Sequence, residues 1–514
     1  MELSELLRAD NKTGEVSGMF GSKYVLAIKK YGFFIVCALL AAVCAYVCFA
    51  RLDYGRIQNW DEARHGVNAY EMLKNHNYIV NTFRNQNDYF NLKPPLSYWG
   101  IILGFGIFGV NVFGMRFYSA AFMLLTFLTV SFWLYKRSGK TACITSMLLF
   151  LTFYDIFFLH AARHADADSL YIFLFTLGCL NLIESINKPD RLALCGLMFS
   201  LCFLAKSWHA CVLLPIGGLF LLFSGLMKKC RPRHYILLAV GALGPVLLWA
   251  VVRWQYDGAA FLGQMFGVDV ADRIAWSAGA NAGYDFFIRY LLGNRSFLLM
   301  TGVIAVCTLF LLLSGPVPED AKKAAPGPAA LALALWIGVP LVIFSLSHTY
   351  YNWYIYPIYP ALAIAASLLV ERCMRACGSK NRKRLFALVM LIPFWITLQN
   401  IRITVSGIDD LEPSGFQQDL QEAMRQYPKC HGKRIYVEKK DNEYKEIGDW
   451  EQAEILSAQL SGDLTCEDGG TDAFLDAPEN ALLMVDPYTY QQHKKKLEQC
   501  RILYRNEYLL LAKE

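Results

Sequence analysis

Long apolar runs separated by short polar connections organise most of this chain. After a polar start ending in Lys29-Lys30, residues 32–50 carry no charge and are long enough to cross a hydrocarbon core, which takes about 20 helical residues. A cleavable signal would have an apolar region of only about 7–15 residues, so this run reads as an uncleaved first span with residues 1–31 in the cytoplasm. Further runs lie at roughly 117–135, 141–159, 169–183, 192–205, 209–227, 235–252, 297–317, 329–346, 353–370 and 385–398. That makes about 11 by hydropathy and 11–13 once the shorter ones are allowed for. The piece at 96–110 differs: it follows Pro94-Pro95, carries four glycines and fits an interfacial helix better than a span.

Near Arg402 the pattern changes. The last hundred or so residues are charged and alternate helix-like segments (412–427, 449–460, 490–500) with strand-like ones (434–438, 481–486) before a final segment, 501–513. The predicted fold is therefore an α-helical polytopic membrane protein, with a transmembrane domain over 32–403 and a small soluble α/β domain over 404–514.

Lysine and arginine set the orientation. The clusters Lys136/Arg137/Lys140, Lys188/Arg191, Lys228/Lys229/Arg231/Arg233, Lys322/Lys323 and Arg372 to Arg384 fall on alternate loops, which the positive-inside rule puts in the cytoplasm. The other loops, 51–116, 160–168, 206–208, 253–296 and 345–352, hold almost every unusual polar residue, and the tail falls on their side. Acids and isolated cations thus converge on one extracytoplasmic surface.

Composition agrees. With 55% hydrophobic and 18% charged residues and a mean hydropathy of +0.31, this is no ordinary soluble protein. The net charge of +6 is explained by topology first and gives no nucleic-acid inference. Most of the fifteen cysteines lie inside apolar runs as small hydrophobes; in the tail, Cys430, Cys466 and Cys500 allow one disulfide.

The chemistry concentrates between Asn59 and Trp99, where Asp61, Glu62, Arg64, His65 and Lys93 are set among aromatics. Asp61-Glu62-Ala63-Arg64 after the first span, then Tyr89-Phe90-Asn91-Leu92-Lys93-Pro94-Pro95-Leu96-Ser97-Tyr98-Trp99, resembles the opening signature of the GT-C membrane glycosyltransferases. The branch it is most similar to contains bacterial aminoarabinose transferases and protein O-mannosyltransferases. The likeness continues through Asp168-Ser169-Leu170, residues 203–208, Arg273 and residues 345–360, about 400 residues in order. One departure is that Leu92 stands where the family commonly has an acidic residue before the lysine.

The resemblance implies a GT-C fold and an inverting transfer of sugar from a polyprenyl-phosphate donor to a lipid, glycan or protein acceptor, at a bacterial cytoplasmic membrane with the site outside. A hydroxyl acceptor needs a base, and Asp61 is the candidate. By motif match Arg64, Lys93, Arg273, Tyr354 and Lys206 are assigned to the donor phosphate, where cations stabilise the growing charge. Glu62, Arg163, Asp166 and Asp168 are assigned to donor sugar or acceptor.

Each assignment has a plainer alternative. Asp61 and Glu62 are helix-capping types, Arg64 and Lys93 could snorkel to headgroups, Lys206 could simply end a span, Arg273 could pair with Asp269 or Asp272, and Tyr354 could belong to an aromatic belt. His164, Asp166 and Asp168 alternate along the chain as divalent-metal ligands would in an extended segment; a polar cap on the next span is the reading adopted, so no metal is required and a divalent ion stays a weak candidate. The rival functions are a transporter or flippase of lipid-linked or anionic substrates, which would place its charges near the midplane, and a non-catalytic envelope scaffold.

Overall fold

The computed structural model describes residues 31–267, 283–313, 327–347, 349–440 and 450–513. Lipid offers no partner to backbone N–H and C=O groups, so each apolar run satisfies them internally as a helix. The first is α1 (Tyr31–Phe49), followed after a short turn by the amphipathic α2 (Asp61–Lys74), a two-residue hairpin of β1 (Thr82–Phe83) with β2 (Gln86–Asn87), and α3 (Leu96–Phe108). Its thirteen residues are too few to cross a hydrocarbon core.

The bundle continues through α4 (Val112–Arg137), α5 (Lys140–Phe150), α6 (Tyr154–Phe158), α7 (Asp168–Ser185), α8 (Leu192–Lys206), α9 (Leu213–Phe223), α10 (Pro232–Asp257) and α11 (Ala260–Phe266). Then come α12 (Phe286–Gly293), α13 (Arg295–Leu313), α14 (Gly327–Leu346), α15 (Ile358–Ala376), α16 (Lys380–Val389) and α17 (Leu391–Ser406). Each of the eleven apolar runs contributes to one or two of these helices. Among the described residues seven helices are long and apolar enough to span, or eight when α16 and α17, bent by 41°, count as one. This is an integral, multi-pass membrane protein.

The centre is α7, enclosed by α4, α8, α9 and α14. Its first residue is Asp168, so the most deeply packed helix delivers a carboxylate to one end of the bundle. By contrast, Leu243, Leu247, Leu248 and Val251 of α10 stay exposed, as a lipid-facing surface does. Two glycine contacts let helices approach backbone to backbone. A Cβ on Gly196 of α8 would stand 2.2 Å from the Leu238 carbonyl oxygen of α10, and one on Gly104 of α3 would stand 2.0 Å from the Gly114 oxygen of α4. Close packing through small residues replaces the hydrophobic drive that lipid removes.

The tail forms a five-stranded sheet, in spatial order β4 (Thr465–Glu467), β3 (Arg434–Glu438), β5 (Leu482–Val485), β7 (Leu509–Ala512), β6 (Arg501–Arg505). β3 is parallel to β4 and β5, with Tyr436 opposite Leu483; β7 is antiparallel to β5 and β6. The expected strands and the helices α18 (Gly415–Gln426) and α19 (Gln452–Gly462) are in place, but residues 490–500 split into two short helices, and 501–513 is a hairpin. Cys430, Cys466 and Cys500 are free thiols, so the allowed disulfide is not formed.

Helix α19 lies directly on α2. Gln459 donates to Glu71 (3.1 Å), Tyr70 and Lys74 both reach Asp463, and the Asn59 side chain donates to Glu451 (3.1 Å) while accepting from the Ala453 N–H (2.9 Å). Gly66 of α2 lets Leu456 sit where its Cβ would be. The tail is thereby clamped to the first loop.

The Gly196 contact predicts that Gly196→Val pushes α8 from α10 and lowers the detergent-solubilised thermal midpoint by several degrees. Gly218→Val, which meets only open space, leaves it unchanged. Overpacking of this kind costs about 1–3 kcal/mol.

Candidate functional site

Asp61 opens α2 after a strained turn. Trp60, the preceding residue, has φ 67° and ψ −105°, a region that a side chain with a Cβ rarely occupies. The Asp61 side chain is 42% exposed and accepts a hydrogen bond from Lys93 Nζ at 3.3 Å. Lys93 is aimed by a second bond to Asn91 Oδ1 (3.1 Å), and Asn91 is held by Asn68 (2.9 Å) and by His65 Nδ1 (3.2 Å). Burial, with the Lys93 charge, drives the His65 imidazole down to about 3, so it is a neutral strut at physiological pH.

On its other side Asp61 meets His160, whose Nε2 lies 3.7 Å from the second carboxylate oxygen. His160 stacks flat on Trp353, with ring centroids 4.3 Å apart and planes 2° from parallel. Its Nδ1 is 3.1 Å from Asp166 and 3.2 Å from Asp168. Asp168 in turn is paired with Lys206, whose ammonium lies 5.9 Å from the Tyr171 ring centroid and 5.6 Å from that of Tyr354. Residues distant in sequence thus form one continuous line: Lys93, Asp61, His160, the Asp166/Asp168 pair, Lys206, Tyr354.

Strain recurs along that line. Ala161, next to His160, has φ 85°, and Ser207, next to Lys206, has φ 54°. Together with Trp60, a non-glycine residue with positive φ adjoins Asp61, His160 and Lys206 alike. Such conformations cost about 1–3 kcal/mol each and persist where the surroundings over-determine them.

The electrostatics follow from crowding. Burial alone would raise the Asp61 carboxyl, but Lys93, then His160, then Lys206 outweigh it and hold the group well below the usual range, ionised. Burial would lower His160, yet Asp166 and Asp168 push it up to about 10, so it is an imidazolium. Asp166 goes the other way: burial first, and the neighbouring Asp168 charge after it, raise its carboxyl against the pull of His160.

Several sequence assignments are corrected here. Glu62 is buried and fully used: Arg116 donates to both its oxygens (2.6 and 2.9 Å), and the Ala165 and Gln58 N–H groups add 3.0 and 2.8 Å bonds. It has no lone pair for a sugar. Arg163 donates to the Val47, Ala50 and Arg51 carbonyls (2.7, 2.8 and 2.9 Å), satisfying the open end of α1 rather than a ligand. Arg64 forks onto Asp88 (2.8 Å twice) between the rings of Phe83 and Phe90, so its charge is already answered within the first loop. Arg273 lies outside the described residues.

The metal candidate also changes membership. His160, not His164, groups with Asp166 and Asp168, with one ligand atom from each within 4.8 Å. His164 is pushed down to about 3, by burial above all, with Arg116 and Arg163 adding to it. His160 Nδ1 and Asp166 Oδ2 are buried without an aligned hydrogen bond, so one imidazole and two carboxylates form a donor set that suits a divalent ion. His160 and Trp353 were missed as site residues because only the fold brings the end of α6 against residues 352–355. The one local hint was a histidine at an apolar helix end, six residues before an Asp-Ala-Asp turn.

Residues 92–254 match the family described as dolichyl-phosphate-mannose-protein mannosyltransferase, a stretch that contains Lys93, His160, Asp166, Asp168 and Lys206. In solved structures, ArnT from Cupriavidus metallidurans bound to undecaprenyl phosphate superposes with a TM-score of 0.65 at 15% identity, covering 94% of this chain and 98% of ArnT. Its apo state gives 0.60 at 17%, covering 93% and 97%. This chain has the GT-C fold. The Archaeoglobus fulgidus oligosaccharyltransferase tethered to an acceptor peptide is more distant, at 0.51 and 12% identity over 89% of this chain and 69% of that one. An uncharacterized protein of Aquifex aeolicus is 26% identical over 354 residues, 67% of this GT-C chain and 65% of the relative, so the match takes in a little under two thirds of that relative's length.

The buried Asp168–Lys206 pair predicts that Asp168→Asn or Lys206→Met alone destabilises the protein by about 3–5 kcal/mol, because each leaves the partner's charge uncompensated. The double substitution recovers much of the loss, read as a double-mutant cycle on thermal midpoints.

Proposed function

We propose that this chain is an inverting glycosyltransferase that moves a sugar from a polyprenyl-phosphate donor to a hydroxyl of a lipid, glycan or protein acceptor outside the cytoplasm. The observation that carries the reading is the line of alternating charge from Lys93 to Lys206, with the open carboxylate of Asp61 inside it. A charged cluster confined to one end of a membrane bundle favours work on a substrate with a lipid tail and a polar head over midplane transport. The GT-C fold, and a structural neighbour bound to undecaprenyl phosphate, support the same donor class.

In this mechanism the acceptor hydroxyl attacks the anomeric carbon, and Asp61 takes its proton as the new C–O bond forms. The bond to the phosphate oxygen breaks on the opposite face, its electron pair leaving with the lipid phosphate. Lys93 and Lys206 receive the growing negative charge, and Tyr354 frames Lys206; Arg273 is retained as a further phosphate ligand by motif match. Asp168, with Asp166, orients Lys206 and His160 from a buried position; contact of this pair with sugar or acceptor hydroxyls is retained by motif match.

The His160, Asp166 and Asp168 set would hold a divalent ion if one is resident, and the ion would supply Lewis-acid stabilisation of the phosphate. Our reading requires none, because the imidazolium and Lys206 already answer the two carboxylates. EDTA is expected to leave transfer and thermal midpoint unchanged; a fall in either on chelation, restored by zinc or manganese, makes this a metal centre.

Purified protein tested with a panel of radiolabelled polyprenyl-phosphate sugars checks the main claim. Asp61→Asn is expected to lower transfer by about 10²–10⁴-fold with folding intact, and Lys93→Ala by about 10²-fold. Unchanged transfer in Asp61→Asn removes the base, and no turnover with any donor removes the function.

A further inference from the structure

The end of the bundle away from Asp61 holds a second, independent feature. A cavity of about 280 Å³ opens among α5, α13, α15, α16 and α17. Its floor includes Leu149, Val303 and Phe386, all buried, while Leu391 and Phe394 at its mouth are exposed. Almost all of the lining is apolar, and the mouth sits at the 41° bend between α16 and α17. A slot of this kind, open sideways on a membrane protein, is bounded by lipid.

Among the described residues, charge beside the slot is one-sided. Helix α16 begins with Lys380, Arg382, Lys383 and Arg384, all exposed, and only then turns apolar with Leu385, Leu388 and Val389. The N-terminal end of a helix already carries partial positive charge, so cations there raise the energy that an anion lowers. Residues 372–408 contain no Asp or Glu, and the Glu371 carboxylate is taken by Arg375 (2.9 Å). The change from basic to apolar within one turn puts this helix at the headgroup boundary.

We propose that this slot holds one acyl chain of an anionic glycerophospholipid from the surrounding leaflet, with the lipid phosphate against the first turn of α16. The apolar lining selects a hydrocarbon chain and the cations, without an ion-pair partner among the described residues, select net negative charge, which separates phosphatidylglycerol from phosphatidylcholine. The site stands apart from the transfer chemistry and does not depend on it.

Lipid titration of the detergent-purified full chain by native mass spectrometry tests this. Wild type is expected to retain one phosphatidylglycerol about tenfold or more tightly than phosphatidylcholine, since each nearby cation favours an anionic lipid. Ala387→Trp, which fills the mouth, and Arg382→Gln/Lys383→Gln/Arg384→Gln are each expected to abolish that preference. The glutamine variant alters only exposed side chains, so the test stands even where the tryptophan variant fails to fold. Equal retention of the two lipids by wild type, or an undiminished preference in the glutamine variant, overturns the proposal. Displacement of phosphatidylglycerol by equimolar undecaprenyl phosphate also overturns it, by making the isoprenoid the occupant.

Discussion

Charge removed from water beside lipid must be answered by opposite charge at short range, and the site end of this molecule is built around that requirement. A single ammonium or carboxylate there would carry a desolvation cost of several kcal/mol. Alternation lowers it: Lys93 answers Asp61, His160 lies between Asp61 and the Asp166/Asp168 pair, and Lys206 closes on Asp168. The buried Glu62–Arg116 pair repeats the solution one layer deeper, and Arg163 does so with carbonyl dipoles at the end of α1. Burial and the neighbouring Asp168 charge push Asp166 toward its neutral form, against the pull of His160.

Alternation of this kind needs backbone geometry that ordinary turns do not supply, which explains the three strained residues beside Asp61, His160 and Lys206. A strained turn survives only if contacts on both sides hold it. Around Trp60 those contacts are the Glu62 carboxylate on the Gln58 N–H and the Asn59 side chain between Glu451 and Ala453 of the tail. The soluble domain is therefore part of the site's support, since it grips α2 along Glu71, Tyr70 and Lys74 while fixing the residue two positions before the carboxylate.

How much of this was legible in the sequence depends on the range of the interaction. Helices driven by unbroken apolar runs were legible because the signal lies within each segment, and so were the strands at 434–438 and 481–486. Asp61, Lys93, Asp168 and Lys206 were legible as a set because motif likeness and the alternation of basic loops both put them on one surface. What failed was the division of labour within that set. Glu62, Arg64 and Arg163 look like ligand residues along the chain, but whether a charged side chain is free is decided by partners up to 116 residues away, and no local pattern records them. His160 was lost for the converse reason: Asp166 and Asp168 lie only six and eight residues on, but the partners that make it a site residue, Asp61 and Trp353, are non-local.

On the proposed reading, the same cations that hold Asp61 ionised also make it a reluctant base, since a carboxylate stabilised by Lys93, His160 and Lys206 gains less by taking a proton. The donor resolves this. A lipid phosphate settling against Lys93 and Lys206 neutralises the field that depresses Asp61, so basicity rises once the leaving group is in place and falls when it departs. The acceptor is then activated in the donor-loaded state, and the empty site does not stand ready to deprotonate whatever hydroxyl drifts in from the aqueous side. An isolated Asp61 with no lysines nearby would be a stronger base at all times and would lose that ordering, which is a physical reason for keeping the base within electrostatic reach of the phosphate-binding lysines even though it serves the opposite face of the anomeric carbon.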